Sequence, residues 1–430
     1  MTIPPRRFLF VTWDGGGVVP PTLAVAEALA VRGHAVRVLA DPTLEAEVVA
    51  AGCSFSPWTT APHRTSRDRE ADLLRDYAFT DKGKYLNTMM AEFYAGPGPR
   101  WTADVLAELD ARPVDVVIGD SIIPWANIAA EARGLPNVVL STMVYGVPTP
   151  GVPPMGAAMV PAPGPLAWVR DAIFRRLFEW LFNKALPSIN AVRATHGLGR
   201  LKNTHDVARR ADRILVLTSP AFDYATAPVP ANVKWVGAPL ADPSWSAPWV
   251  SPWPTEDTRP LVLVALSSTF QNQVPLLRAL VTALSTLPVR AVVTRGPTVH
   301  AGEVTGTENV HVVDSAPHAA ILPDAALVVT HCGHGTTLKA LSAGVPLLCV
   351  PMGRDQDENA ARVLKRGAGL KLSPRATAEQ LRAALGRLLA EPAFKQAAVA
   401  CAAAIRAAEG QVSAAEELEA LAGAPRLARA

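Results

Sequence analysis

The chain has 430 residues, 49% hydrophobic and 18% charged, enough to bury the cores of two or three domains with a cleft between them. Its 41 basic and 38 acidic residues leave a net charge of +3 with no long run of one sign, so bulk electrostatics draws it neither to nucleic acid nor to anionic lipid, and small molecules are the expected partners. Four cysteines far apart (Cys53, Cys332, Cys349, Cys401) give no disulfide framework and fit a reducing compartment.

At the N-terminus, MTIPPRRFLFVTW holds two arginines and an apolar stretch of only six residues, too short for a signal core. No segment reaches the roughly 18 apolar residues of a membrane span. A cytoplasmic location without stable membrane insertion is expected. The strand Arg7–Trp13 then runs into three glycines and two prolines and on into an apolar-periodic helix, VTWDGGGVVPPTLAVAEALAVRGH, residues 11 to 34. This strand-loop-helix is a candidate ligand site.

Strands are expected next at Ala35–Ala40, Asp115–Asp120, Asn137–Thr142 and Arg213–Ser219, separated by Ala/Leu-rich helices, which is the pattern of a parallel sheet covered on both faces. Leu166–Leu186 stands apart, apolar at helical spacing with Arg170, Arg175, Arg176 and Lys184 among its aromatics. Two readings stay open for it: a helix packed on its own domain or lining an acceptor pocket, and a helix lying on a membrane surface. Gly237–Pro260 then holds six prolines and three tryptophans without helical or strand period and reads as a linker.

The strand pattern restarts with Leu261–Ser267, Val289–Arg295, Val310–Asp314, Ala326–Thr330 and Pro346–Val350, with helices near Val274–Leu287, Thr336–Ser342 and Gln356–Arg366. Two doubly wound domains follow: residues 1–236 and 261–430, joined by 237–260, with the last helix able to return to the N-terminal domain. In such sheets ligands sit where strand ends and helix N-termini converge. The richest place is VVTHCGHGTTLKALSAGVPLLCVPMGRDQDENAARV, residues 328 to 363. There Gly333 and Gly335 let backbone approach a ligand, a helix from about Thr336 aims its positive end at the same point, and His331 offers a donor, an arrangement suited to a diphosphate.

Metal readings are weak. His331, Cys332 and His334 lack the second ligand pair of a structural zinc site, and Asp355 and Asp357 stand where a helix cap or hydrogen-bonding carboxylate is commoner. A dehydrogenase is also disfavoured, because its glycine fingerprint would need a glycine where Pro20 stands.

In order, HCGHGT, ALSAGVP, DQ, NAARV and GAGL resemble the donor region of inverting GT-B glycosyltransferases, the family of plant and bacterial natural-product and macrolide glycosyltransferases. VLVALSSTFQNQ (residues 262–273), VHVVDSAPHAAILP (310–323) and VKWVGAP (233–239) extend the resemblance. It implies an α/β, GT-B architecture, two doubly wound Rossmann-like domains facing each other across a cleft, with the acceptor on the N-terminal domain and a UDP- or dTDP-sugar on the C-terminal one. The nucleotide diphosphate sugar is a co-substrate and no cofactor or metal is expected. The acceptor is expected to be a hydrophobic small molecule, such as an aromatic or polyketide aglycone, and a homodimer stays open.

Carried over by position, the resemblance gives His331 and the Gly333, His334, Gly335 and Thr336 amides to the diphosphate, with Ser268 and Thr269 closing over it. Ala316 and His318 would border the nucleobase, Asp355 and Gln356 would bind sugar hydroxyls, and Asn359 would sit near phosphates or sugar. Two departures matter. Lys339 replaces a glutamate that bonds the ribose; an ammonium only donates, so Lys339 is expected to be solvated or to touch a phosphate, and dTDP-deoxysugars gain weight. Val18 stands where relatives carry a base histidine in Gly-His-x-x-Pro, leaving Asp120 and Asp14 as candidate bases. The missing histidine also raises an alternative: a non-catalytic relative that activates a partner glycosyltransferase.

Overall fold

The computed structural model describes residues 4–79, 81–224, 229–408 and 412–424. Its first sheet contains β1 (Arg7–Val11), β2 (Ala35–Ala40), β3 (Ser54–Pro57), β4 (Val116–Asp120), β5 (Asn137–Ser141), β6 (Arg213–Val216) and β7 (Val233–Trp235), in the order β3-β2-β1-β4-β5-β6-β7. The second contains β8 (Leu261–Ala265), β9 (Arg290–Thr294), β10 (Val310–Val313), β11 (Ala325–Thr330), β12 (Leu347–Cys349) and β13 (Gly369–Lys371), in the order β10-β9-β8-β11-β12-β13. Every strand pair is parallel, and each sheet changes winding direction beside its first strand. That is where an open α/β sheet leaves a crevice.

Sequence explains the central strands directly. β1, β4, β8 and β11 are near-continuous Val, Ile, Leu and Phe, because helices cover both faces and no side of the strand meets water. Several strands stop short of their apolar runs: β1 ends at Val11 and β6 at Val216, as the chain leaves the sheet to build loops over the cleft. The helix expected from Thr336 begins at His334, because Gly333 (ψ 140°) takes the extended N-cap conformation two residues earlier.

The linker has no regular element, and its tryptophans pin it to both halves: Trp245 packs on the N-terminal core, Trp249 and Trp253 on the C-terminal one. The helix Ala414–Gly423 returns to the N-terminal domain. Ala414, Ala415 and Leu418 join that core, while Glu419 receives Arg32 at 2.8 Å and lies 2.9 Å from His34 Nε2. Among the described residues no single helix is long and apolar enough to cross a membrane.

Candidate active site

A cavity of about 1130 Å³ opens between the two sheets, walled by the segments that follow β1, β4 and β5 on one side and β8, β11 and β12 on the other. Its C-terminal half is polar. His331, at the end of β11, lines it next to Gly333, His334, Gly335 and Thr336, and the first amides of a helix have no intrahelical partner. Burial pushes the His331 imidazole down to about 4, against the opposing Ala265 carbonyl, so it is neutral at pH 7, and its buried Nδ1 has no partner. Gly333 is required here: a Cβ would come 2.6 Å from the His331 ring.

Ser268 and Thr269, after β8, line the same half, as do Ala316 and His318, whose imidazole burial also lowers to about 4. Asp355 and Gln356 line it too, but their polar atoms are unequally free. Gln356 Oε1 accepts the Met352 and Gly353 amides at 2.6 and 3.0 Å and its Nε2 donates to Gln271 at 2.8 Å, so this amide fixes the loop before the helix. Asp355 Oδ2 accepts from Asn359 at 2.9 Å. Asn359 lies behind the lining, donating to the Cys332 carbonyl at 2.9 Å, and acts by positioning Asp355 and the His331 loop.

Lys339 departs from expectation. It is neither solvated nor free for a phosphate: its Nζ donates to Asp242 Oδ1 of the linker at 2.7 Å, both side chains being largely buried. Burial opposes ionisation of Asp242, but Lys339 and the amides of Ala319 and Ala320 outweigh it and hold the carboxyl below its usual range. The pair lines the cavity beside His318.

The glycine loop after β1 forms the seam. Gly16, at φ +74°, faces Ser268 and Thr269 across the cleft, and the Gly15 carbonyl accepts from Arg354 at 3.3 Å. Arg354 itself has a left-handed backbone (φ +53°) and spans the domains, donating to Asp76 at 2.8 Å. Gln271 reaches the same Asp76 oxygen at 2.8 Å. Sequence reasoning missed Arg354, although it directly precedes Asp355; its partner lies 278 residues away in an irregular stretch with no pattern of its own.

The N-terminal half is apolar, with Met89, Phe93, Tyr94, Phe178, Phe182 and Trp245 among its walls. Phe178 and Phe182 come from the helix Pro165–Phe182, so one face of that segment does line the pocket. Asp14 lines the cavity: its Oδ2 accepts from Thr43 at 2.8 Å and Arg67 at 3.3 Å, and its Oδ1 lies 3.9 Å from Arg64.

Asp120 ends β4 and is buried. Oδ1 accepts the Ile122 amide at 2.8 Å and Oδ2 has no partner. Burial raises this carboxyl to about 7, only partly opposed by the Ile122 amide. Asp120 is not part of the cavity wall; Ser121 beside it is, as is Val18. His205, also in the wall and lowered to about 4 by burial, is a lining residue that the sequence did not single out. Among the described residues no group of three or more His, Cys, Asp or Glu side chains is placed to hold a metal ion.

Residues 285–421 match the EryCIII-like family, described as the erythromycin biosynthesis protein CIII-like C-terminal domain. The chain is 28% identical over 407 residues to 4'-demethylrebeccamycin synthase of Lentzea aerocolonigenes, covering 90% of this chain and 93% of that protein. It is 27% identical over 427 residues to demethyllactenocin mycarosyltransferase of Streptomyces fradiae, covering 96% and 86%. Its fold is that of the glycosyltransferase VinC, solved in complex with dTDP, with a TM-score of 0.67 at 22% identity over 96% of this chain and 98% of that one.

Proposed function

We propose that this chain, a natural-product glycosyltransferase of the GT-B type by fold and similarity, moves a sugar from a nucleotide diphosphate to a hydrophobic small-molecule acceptor by direct displacement with inversion. The observation that carries the reading is one cavity with two chemistries. A helix N-terminus, a neutral imidazole and loop amides meet at one end, and an aromatic pocket forms the other.

The donor end suits a leaving diphosphate. As the anomeric bond breaks, charge grows on the β-phosphate, and the unpaired amides at Gly333–Thr336 stabilise it with His331 beside them, so stabilisation rises in the transition state without a metal. Ser268 and Thr269 close over the phosphates from the facing loop, Ala316 and His318 flank the base, and Asp355 takes a sugar hydroxyl. Because Lys339 is tied to Asp242 and can only donate, the site favours donors whose ribose asks little of that position, the dTDP-sugars. The dTDP complex of the structurally similar VinC supports this.

On the acceptor side the aromatic walls hold an apolar aglycone with its nucleophile toward the seam. Asp120 is the proton acceptor in this proposal: its Oδ2 is unpartnered, and a carboxyl near 7 is matched to proton transfer at neutral pH. The proton reaches it through a water or acceptor hydroxyl beside Ser121. The helper alternative is not favoured, since the donor end is complete and a relative similar over 96% of this chain is named for the sugar it transfers.

The test is a thermal-shift titration with UDP- and dTDP-sugars, then mass spectrometry of aromatic and polyketide acceptors incubated with the best donor, with and without chelator. Stabilisation by a nucleotide sugar and transfer that survives chelation are expected. No nucleotide binding, or transfer that strictly requires a divalent ion, overturns the mechanism.

A further inference from the structure

The helix Pro165–Phe182 is turned inside out relative to an ordinary surface helix. Its inward side holds the buried Ala167 and Asp171 and the cavity-lining Phe178 and Phe182, while Leu166, Val169, Ile173, Leu177 and Trp180 form a continuous stripe toward solvent. Their spacing of three or four residues puts them on one face over about 21 Å of helix. The exposure is large, 84% for Leu166 and 61% for both Ile173 and Trp180. Isolated surface leucines are ordinary; a continuous exposed stripe ending in a tryptophan marks a surface that something covers.

Charge identifies the occupant. The two acids of this helix are engaged, Asp171 by Arg170 at 2.8 Å and Glu179 by Arg209 at 3.8 Å. Beside the stripe, and among the described residues, Arg176 has no acidic partner, and Lys184, just past the helix, holds only Asn87 and the Trp180 ring. An apolar stripe with a tryptophan anchor and the uncompensated cations Arg176 and Lys184 beside it fits the headgroup boundary of an anionic bilayer, where bases meet lipid phosphates and indoles sit between tails and water. A second copy fits less well, because a two-fold contact sets this patch against itself and opposes the same cations.

We propose that this face docks the protein reversibly on an anionic lipid surface. The opposite side of the same helix supplies Phe178 and Phe182 to the cavity, so docking sets the aromatic pocket beside the bilayer, a source of poorly soluble acceptors. The small net charge of the whole chain does not oppose this, since Arg176 and Lys184 lie beside the stripe itself.

The experiment is flotation of the full chain with phosphatidylcholine vesicles, with and without phosphatidylglycerol, and light scattering of the protein alone. Wild type floats with the anionic vesicles and its tryptophan emission shifts to the blue. Arg176→Glu loses about tenfold in bound fraction, the effect of removing one cation and adding one repulsion at the surface. Ile173→Glu with Leu177→Glu abolishes flotation, while its circular dichroism melt stays that of wild type because both sites are exposed. Failure of wild type to float with either vesicle overturns the proposal. So does a dimer in light scattering that the double glutamate variant dissociates, which gives the face to a second copy, or equal flotation with neutral vesicles, which removes the role of charge. None of these readouts depends on transferase activity.

Discussion

Gly16 and Ser268 meet across the cleft: a Cβ on Gly16 would stand 2.6 Å from Ser268 Oγ and 2.8 Å from Thr269 Cγ2. The glycine loop of one domain is thus packed on the phosphate-side loop of the other. Position 16 needs glycine twice, for this approach and for its φ of +74°.

Gly16→Ala should therefore cost about 1–2 kcal/mol of stability through left-handed strain and also lower turnover, by pushing the Ser268 loop from the cavity. Gly134→Ala separates the two effects. Gly134 has φ +61° and open space around its Cβ, so it carries the strain without the contact and should lose stability alone. Denaturant melts and initial rates of both variants check this; equal turnover in the two would show that the seam contact does not matter.

Removing one partner of the Lys339–Asp242 pair leaves the other charge largely buried. Lys339→Met and Asp242→Asn should each weaken nucleotide binding and lower the melting temperature, and the double variant should recover part of both losses, since no unpaired charge remains. Calorimetric titration with dTDP across this cycle measures the coupling. Strict additivity would make Lys339 and Asp242 independent surface residues.

Much of the architecture was legible before any coordinates. Central strands of a parallel sheet announce themselves as short apolar runs, and the His331–Thr336 turn combines glycines, a strand end and a helix start that local chemistry explains. What was not legible depends on distant pairing. Lys339 looks like a solvated helix residue until linker Asp242 arrives beside it, and Asp14 looks like a free carboxylate until Arg64, Arg67 and Thr43 surround it. The Leu166–Leu186 segment was ambiguous for a related reason: its periodicity is amphipathic, and sequence alone does not say which side faces the protein.

Arg354 ties the domains together through Asp76 and the Gly15 carbonyl, with 18% of its side chain exposed. Arg354→Lys keeps the charge and loses the fork that reaches both acceptors. Turnover should fall about tenfold or more, with a rise in KM for donor, and small-angle scattering should show a wider particle. The stability loss should stay below the about 3–5 kcal/mol of a fully buried broken pair. Unchanged scattering and kinetics would assign the closed cleft to the linker and the terminal helix alone.

Asp120 provides the last test, because its environment acts on stability and on rate with separable pH dependences. Its folded pKa of about 7 lies above the unfolded value of 3.8, so between these limits the native state holds a proton that the unfolded chain has released. The stability this contributes is fully present below about pH 4, falls as pH rises toward 7 and is flat beyond. Asp120→Asn has no such titration, so wild-type stability minus that of the variant should decline over the same window. If Asp120 also accepts the acceptor's proton, the rising acidic limb of kcat/KM has its midpoint near 7 in wild type and disappears in Asp120→Asn, with turnover reduced about 100-fold at neutral pH and dTDP affinity retained. Asp14→Asn should leave that limb in place, because its carboxylate is already held by arginines. A stability difference that follows this window with no change in the rate profile would make Asp120 a buried structural acid and return the search for the base to the cavity wall, where His205 stands.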